Sequence, residues 1–300
     1  MAGRPEKGNN LLDSPKPKEE DGLGGVRLVM YSVFGDESSD ERRERVFAVG
    51  GIFGDERQWR ALVKKWTAVT EGEEFHAAEW DVPKRRHQYK QLVKLLAESR
   101  LIGFGTAMWL EKYGRLFPNA VDYLPYYECF LDVIGRFAHC AGLCLPRDTV
   151  NFTFDQNLEV QYHASKLYHF IISKPDWLDR EFVSDEISYA TRKNPKIQAA
   201  DLWTREVMKF ADNSLGPVKR PTRRSLEVLR KQNRFFIKVY GDSYFELLKA
   251  QFDKLNKSDS PSKFEKYQNW IKERNMQDNT ENRMHYMIMM GKIENAGSGD

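Results

Sequence analysis

Residues 26–53 read "VRLVMYSVFGDESSDERRERVFAVGGIF". Two apolar runs, "VRLVMYSVF" and "RVFAVGGIF", flank a short polar connection, which is the pattern of two strands paired antiparallel. The first run ends on acid, with Asp36 and Glu37 side by side where the hydrophobic stretch stops. A solvated turn or a cap places acids at such a point. So does the first part of a metal site. The two readings separate only when the other acids of the chain are placed.

Outward from this pair, helices and strands alternate. "ERQWRALVKKWTAV" and "HQYKQLVKLLAES" have helical spacing, and "LIGFGTAMWL" follows as a third strand. "YYECFLDVIGRFAHCAG" is a long apolar helix, and "TVNFTF" a strand that runs into Asp155. Then come a helix in "VQYHASKLYHFIIS", a short strand in "EISYAT" and an amphipathic helix in "KIQAADLWTREVMKFAD". Strands joined by helical crossovers imply a mixed α/β sheet with parallel neighbours and helices on its faces. The core is expected over residues 26–214, between a disordered tail at 1–25 and a basic, mainly helical extension at 215–275. Residues 276–300 read as a second flexible tail.

Composition narrows the class. The 300 residues are 41% hydrophobic and 13% aromatic, enough for a sizeable core. Three cysteines argue against a disulfide framework and for a reducing, cytoplasmic setting. No stretch approaches the length of a membrane span, and the N-terminal residues lack the apolar core of a signal peptide. The net charge is only +3, but its distribution is uneven. From Lys219 to Lys238, eight cations stand against the single anion Glu227. Lys219, Arg220, Arg223, Arg224, Arg230, Lys231 and Arg234 in this stretch, interleaved with Phe235 and Phe236, suit phosphates and stacked bases. The alternative is a solvated helix face. "PKRRH" at 83–87 extends the same surface.

Three acids fall at comparable points. Asp36 ends the first strand, Asp155 ends "TVNFTF", and Asp201 lies in the last core helix, with Gln198 on the same face and Ala199, Ala200 and Leu202 beside it. Carboxyl ends of parallel neighbours share one edge of a sheet, where α/β sites form. Each acid has a plainer reading: a turn for Asp36, an Asx-turn for Asp155, an ion pair with Arg205 for Asp201. Together they point to a shared cation, and hard oxygens select Mg²⁺ or Mn²⁺. A phosphohydrolase with a strand-end Asp nucleophile needs a second acid two residues on; position 38 is Ser. Tyr123, Tyr126 and Tyr127 suit base stacking, but packing in the core or at its edge is the stronger reading.

This order of elements and acids resembles the RNase H-like superfamily. The local motifs resemble a bacterial and phage family designated domain of unknown function three thousand eight hundred. Its members open with a D-E-S-G strand, carry H-x-x-E after the first helix and finish with Q-x-A-D. Here these are "GDESS" (Asp36, Glu37, Ser38), "HAAE" (His76, Glu79) and "QAAD" (Gln198, Asp201), with Ser39 in place of the Gly. The resemblance spans about residues 26–212. It implies a divalent-metal nuclease in which Asp36, Asp155 and Asp201 hold Mg²⁺ or Mn²⁺ and nucleic acid, RNA or DNA, is the substrate. The superfamily adds a Glu from the helix after the third strand; Glu128 is at the matching place, and Glu79 and Glu37 compete with it. His76 would order Glu79 or carry a proton. A setting in phage defence or a mobile element follows from the resemblance alone. A non-catalytic nucleic-acid-binding or regulatory protein that keeps the acids for structure is the other reading, and a partner protein or a homo-oligomer is left open.

Overall fold

The structure is a computed structural model. It describes residues 30–257 apart from 41, 43, 117–123, 145–148, 159–160, 175–176, 178 and 216–217, together with 268–270 and 272. The tails expected at 1–25 and 276–300 lie outside the described residues.

Strands β1 (Tyr31–Ser39) and β2 (Val46–Asp55) form the expected antiparallel pair. Asp40 closes their connection: its Oδ1 accepts from the backbone N–H groups of Arg45 at 2.9 Å and Val46 at 3.0 Å. Helix α1 (Glu56–Thr70) begins at once, because Asp55 and Gln58 form a reciprocal capping box. It buries Trp59, Leu62 and Trp66. A short helix α2 (Ala77–Trp80) and a 3-10 turn lead to α3 (Arg86–Glu98). Strand β3 (Ile102–Trp109) then pairs antiparallel with β2. After α4 (Leu110–Leu116) and α5 (Leu124–Cys144), strand β4 (Val150–Asp155) lies parallel to β1. Helix α6 (Gln161–Ile172), strand β5 (Val183–Ala190) and helix α7 (Pro195–Leu215) complete the core, with β5 parallel to β4.

The sheet has the order β5-β4-β1-β2-β3, the mixed α/β sheet flanked by helices that was expected, with β6 (Phe235–Tyr240) added beside β3. Only β2 runs against its neighbours. Alternation along the strands sends side chains to two cores. Val33, Phe152 and Phe154 pack with α5 and α6 on one face. Phe34, Ala48, Ile52 and Ala107 pack with α1, α3 and α7 on the other. Helix α7 lies unusually close to the sheet. A Cβ on Gly50 would stand 2.5 Å from Thr204 Oγ1, and one on Gly105 would stand 2.4 Å from Val207 Cγ2. Bare backbone at these two places is what lets the helix down.

The basic segment after α7 is only partly the helical extension expected. Helices α8 (Arg224–Arg230) and α9 (Asp242–Lys257) flank β6, which joins the core sheet. The physical reason is a strand pattern hidden by charge. Phe235, Ile237 and Val239 turn to the α7 face, while Lys238 turns to the other and is neutralised there. Its Nζ donates to Asp132 Oδ1 of α5 at 2.8 Å, and Thr106 of β3 donates to Asp132 Oδ2 at 2.6 Å. Burial alone would raise the Asp132 pKa; the charge and hydrogen bond of Lys238, with Thr106 and Arg136, outweigh it and bring it to about 2. Because the folded value lies below the unfolded one, this stabilisation is present above about pH 4 and fades as pH falls toward the folded value. Lys238→Met should therefore lower stability by about 1–2 kcal/mol at neutral pH. In denaturant titrations the gap to wild type should narrow as pH falls from about 4; a gap independent of pH would contradict this account of the strand.

Candidate functional site

Strand β1 does not stop at the acids, as the apolar run suggested; it continues through Asp36 and Glu37 to Ser39. The reason lies in its two neighbours. On the β2 side pairing runs on, Asp36 opposite Gly50 and Ser39 opposite Phe47. On the β4 side the last pair is Gly35 with Phe154. The acids therefore stand where β1 outruns β4, in a strand held on one side only.

Strand parity then sorts them. Asp36 shares a face with Phe34 and turns toward α7. Asp155 is the next residue after Phe154 and turns to the same face. Asp201 comes down on this face from α7. All three carboxylates are buried, at 2%, 8% and 5% exposure for Asp36, Asp155 and Asp201. Asp36 Oδ1 accepts from Glu37 N–H at 2.8 Å, and its carbonyl faces the Thr204 hydroxyl at 3.3 Å. Asp201 Oδ2 accepts from Ala77 N–H at 2.8 Å, which fixes the carboxylate against the start of α2. Arg205, the sequence neighbour that offered an ion pair, turns instead to Asp81, 3.3 Å away.

Three buried carboxylates disturb one another. Burial, then the charges of Asp201, Glu37 and Asp155, push the Asp36 pKa well above the ordinary carboxylate range. Burial also raises Asp201 and Asp155, opposed at Asp201 by the Ala77 hydrogen bond and at Asp155 by Arg192.

Glu37, of opposite parity, turns to the α5 face, where Asn157 donates to its Oε1. Tyr126 and Tyr189 lie close enough that the Glu37 charge, after burial, raises both phenols. Glu79 is a solvent-facing side chain; its Oε1 stands 3.2 Å from His76 Nδ1. His76, the more buried of the two, and Glu79 are thus paired, as their spacing suggested. Glu128 is buried on α5 and accepts from the Tyr244 hydroxyl of α9 at 2.6 Å; the charges that raise Asp36 come from other acids.

Two participants were not singled out from the sequence. Arg192, in the turn between β5 and α7, places its Nε 3.4 Å from Asp155 Oδ2. Its signal was available: β5 was expected to run parallel to β4, so a polar residue just past its end falls beside Asp155. Gln198 was noted only as a neighbour of Asp201. Its buried amide accepts from Trp66 Nε1 at 2.9 Å and donates to the Arg192 carbonyl at 2.8 Å, locking that turn to α1 and α7.

The basic stretch divides in two. Arg223 clasps Asp81 with two bonds of 2.8 Å and lies 3.3 Å from Glu206; Arg234 donates to the Ala97 carbonyl. Arg220 pairs with Asp212 at 2.7 Å. Lys219, Arg224, Arg230 and Lys231 are exposed.

Hard carboxylate oxygens are the right donors for Mg²⁺ or Mn²⁺. Yet among the described residues no three His, Cys, Asp or Glu side chains stand as a group able to hold a metal ion. The positive charge in this arrangement comes from Arg192. Among the described residues no helix is long and apolar enough to cross a membrane.

No family model and no curated protein matches the sequence. Among solved structures, the chain is similar to one in the PCNA:RNase HII complex from Archaeoglobus fulgidus, at 13% identity and a TM-score of 0.37, covering 83% of this chain and 92% of that one. A likeness at this level says nothing about activity.

The repulsion has a measurable consequence. Since the folded state holds the Asp36 proton more tightly than the unfolded state, wild-type stability falls as pH rises from about 4 through the folded value. Asp36→Asn keeps the oxygen that accepts from Glu37 N–H and removes the charge. In metal-free buffer at neutral pH it should raise Tm by about 2–4 °C. The gain should vanish in acid, where the wild-type carboxyl is also neutral; an unchanged or lower Tm at neutral pH would refute the clustering.

Proposed function

We propose that this protein is a divalent-metal-dependent nuclease that hydrolyses phosphodiester bonds. The observation that supports this best is the burial of Asp36, Asp155 and Asp201 on one face at the carboxyl edge of the sheet, where burial and the charges of Asp201 and Asp155 raise the cost of ionising Asp36. Membership of the family with the D-E-S, H-x-x-E and Q-x-A-D motifs belongs to the same proposal. It is supported by the way those motifs meet: Asp201 bonds the backbone beside His76, and Thr204 faces the Asp36 carbonyl.

In this reading Asp36, Asp155 and Asp201 hold Mg²⁺ or Mn²⁺. When bound, such an ion supplies charge stabilisation at the phosphodiester and a water of lowered pKa. The chain's own residues do the rest. Ala77 N–H and the Thr204 hydroxyl hold the Asp201 carboxylate and the Asp36 backbone in place. Glu37 is the fourth carboxylate, reached from the opposite face and held by Asn157. His76, paired with Glu79, carries a proton between the site and solvent. Glu128, engaged with Tyr244, braces α5 against α9.

A second reading, a non-catalytic nucleic-acid-binding protein, is favoured by one observation: Arg192 already supplies positive charge beside the acids. Labelled single-stranded RNA, transfer RNA, single- and double-stranded DNA and an RNA–DNA hybrid, each with Mg²⁺, Mn²⁺ or EDTA, separate the two. Cleavage should require the cation. Asp155→Asn should slow single-turnover cleavage about 100-fold or more while circular dichroism stays unchanged. Binding without cleavage of any substrate would support the second reading.

The exposed cations Arg224, Arg230 and Lys231 are proposed to meet phosphates; Phe236, also exposed, stacks on Phe104 on the other face of the sheet. Replacing all three with Gln should reduce the slope of log K against log salt by about 2–3 units and leave saturated turnover intact. Arg223→Gln, by contrast, should destabilise the fold, since it removes the cation beside the buried Glu206 and leaves Asp81 with Arg205 alone. An unchanged salt slope in the triple variant would place the nucleic acid elsewhere.

A further inference from the structure

We propose that Arg192 is an exchangeable counter-ion: it neutralises the carboxylate site of the metal-free protein, and a divalent cation takes its place. This rests on the metal reading of Asp36, Asp155 and Asp201 and adds a residue that governs how the site is loaded.

The geometry separates Arg192 from the structural arginines. Arg223 grips Asp81 through two bonds of 2.8 Å. Arg192 makes one looser approach, Nε to Asp155 Oδ2 at 3.4 Å, and its side chain remains 42% exposed. The Nε is buried, yet no hydrogen bond satisfies it. A planar fork held this way is poorly matched to its carboxylate and readily leaves it.

The backbone beneath it, in contrast, is fixed. Gln198 holds the Arg192 carbonyl at 2.8 Å, and Asn194 N–H closes the turn on the Thr191 carbonyl at 3.0 Å. Motion is therefore confined to the long side chain, which already reaches solvent. Its charge faces the whole cluster. Burial opposes ionisation of the guanidinium, and the charges of Asp36, Asp155, Asp201 and Glu37 outweigh that and raise its pKa. A divalent cation on the same carboxylates would repel this group and satisfy the acids better, so the two cannot share the site at full strength. By linkage, whatever Arg192 adds to the metal-free protein it subtracts from metal affinity.

The test is Mn²⁺ binding without nucleic acid, followed by the loss of the free-ion resonance signal, in wild type, Arg192→Gln and Arg192→Lys. The Gln variant should bind Mn²⁺ about tenfold more tightly. It should also have a lower Tm in EDTA and a larger rise in Tm on adding Mn²⁺. The Lys variant, which keeps the charge, should stay near wild type in affinity. Circular dichroism confirms that each variant is folded. If wild type binds Mn²⁺ and the Gln variant binds equally or more weakly, the exchange is refuted while the metal reading stands. If no form binds Mn²⁺, the metal reading fails and the exchange with it.

Discussion

The close approach of α7 to the middle of the sheet is the constraint on which the site depends. Gly50 and Gly105 present no side chain to it, so Thr204 and Val207 sit directly on β2 and β3. That contact brings Asp201 down beside Asp36 and Asp155. Along the same helix Gln198, Thr204 and Glu206 are buried, at 3% exposure or less. Polar groups so placed need partners, and each has one that ties α7 to another part of the chain: Gln198 to Trp66 and the Arg192 turn, Thr204 to the Asp36 carbonyl, Glu206 to Tyr89 and Ser225. The helix is thus a hub whose apolar contacts set its height and whose polar contacts set its rotation.

Charge carries the same logic into the segment after α7. Asp81, Arg205, Arg223 and Glu206 link α2, α7 and α8. Asp132 and Lys238 link α5 to β6 across the other face. A run of cations that looks like one surface is therefore two sets of residues with different work. One set is folded inward onto buried acids, and the other faces solvent.

Much of this was legible in the sequence. The hairpin of β1 and β2, the parallel neighbours and the crossover helices follow from apolar periodicity, and the strand ends put Asp36 and Asp155 at one edge of the sheet. Three features were hidden for physical reasons. β6 has no local partner, and its alternation is broken by Lys238, whose neutralising Asp132 lies far back in the chain. Arg223 shows its charge in the sequence but not Asp81, which a fold must bring to it. Glu128 shows its charge in the sequence but not Tyr244, which α9 brings to it from far along the chain. Arg192 was within reach, since the direction of β5 already fixed where its end would fall.

The position of β6 has a consequence for how the chain becomes a folded protein. Strand β3 is laid down early in the sequence, and among the described residues its outer edge is paired by residues 235–240. Until that late strand arrives, β3 offers a row of unpaired N–H and C=O groups to any other chain. Contacts so widely separated in sequence form slowly, which prolongs the exposure. A chain ending after α7 would retain every residue of the carboxylate cluster and still keep β3 open. Self-association through that edge, rather than loss of the site, is the hazard the last strand removes.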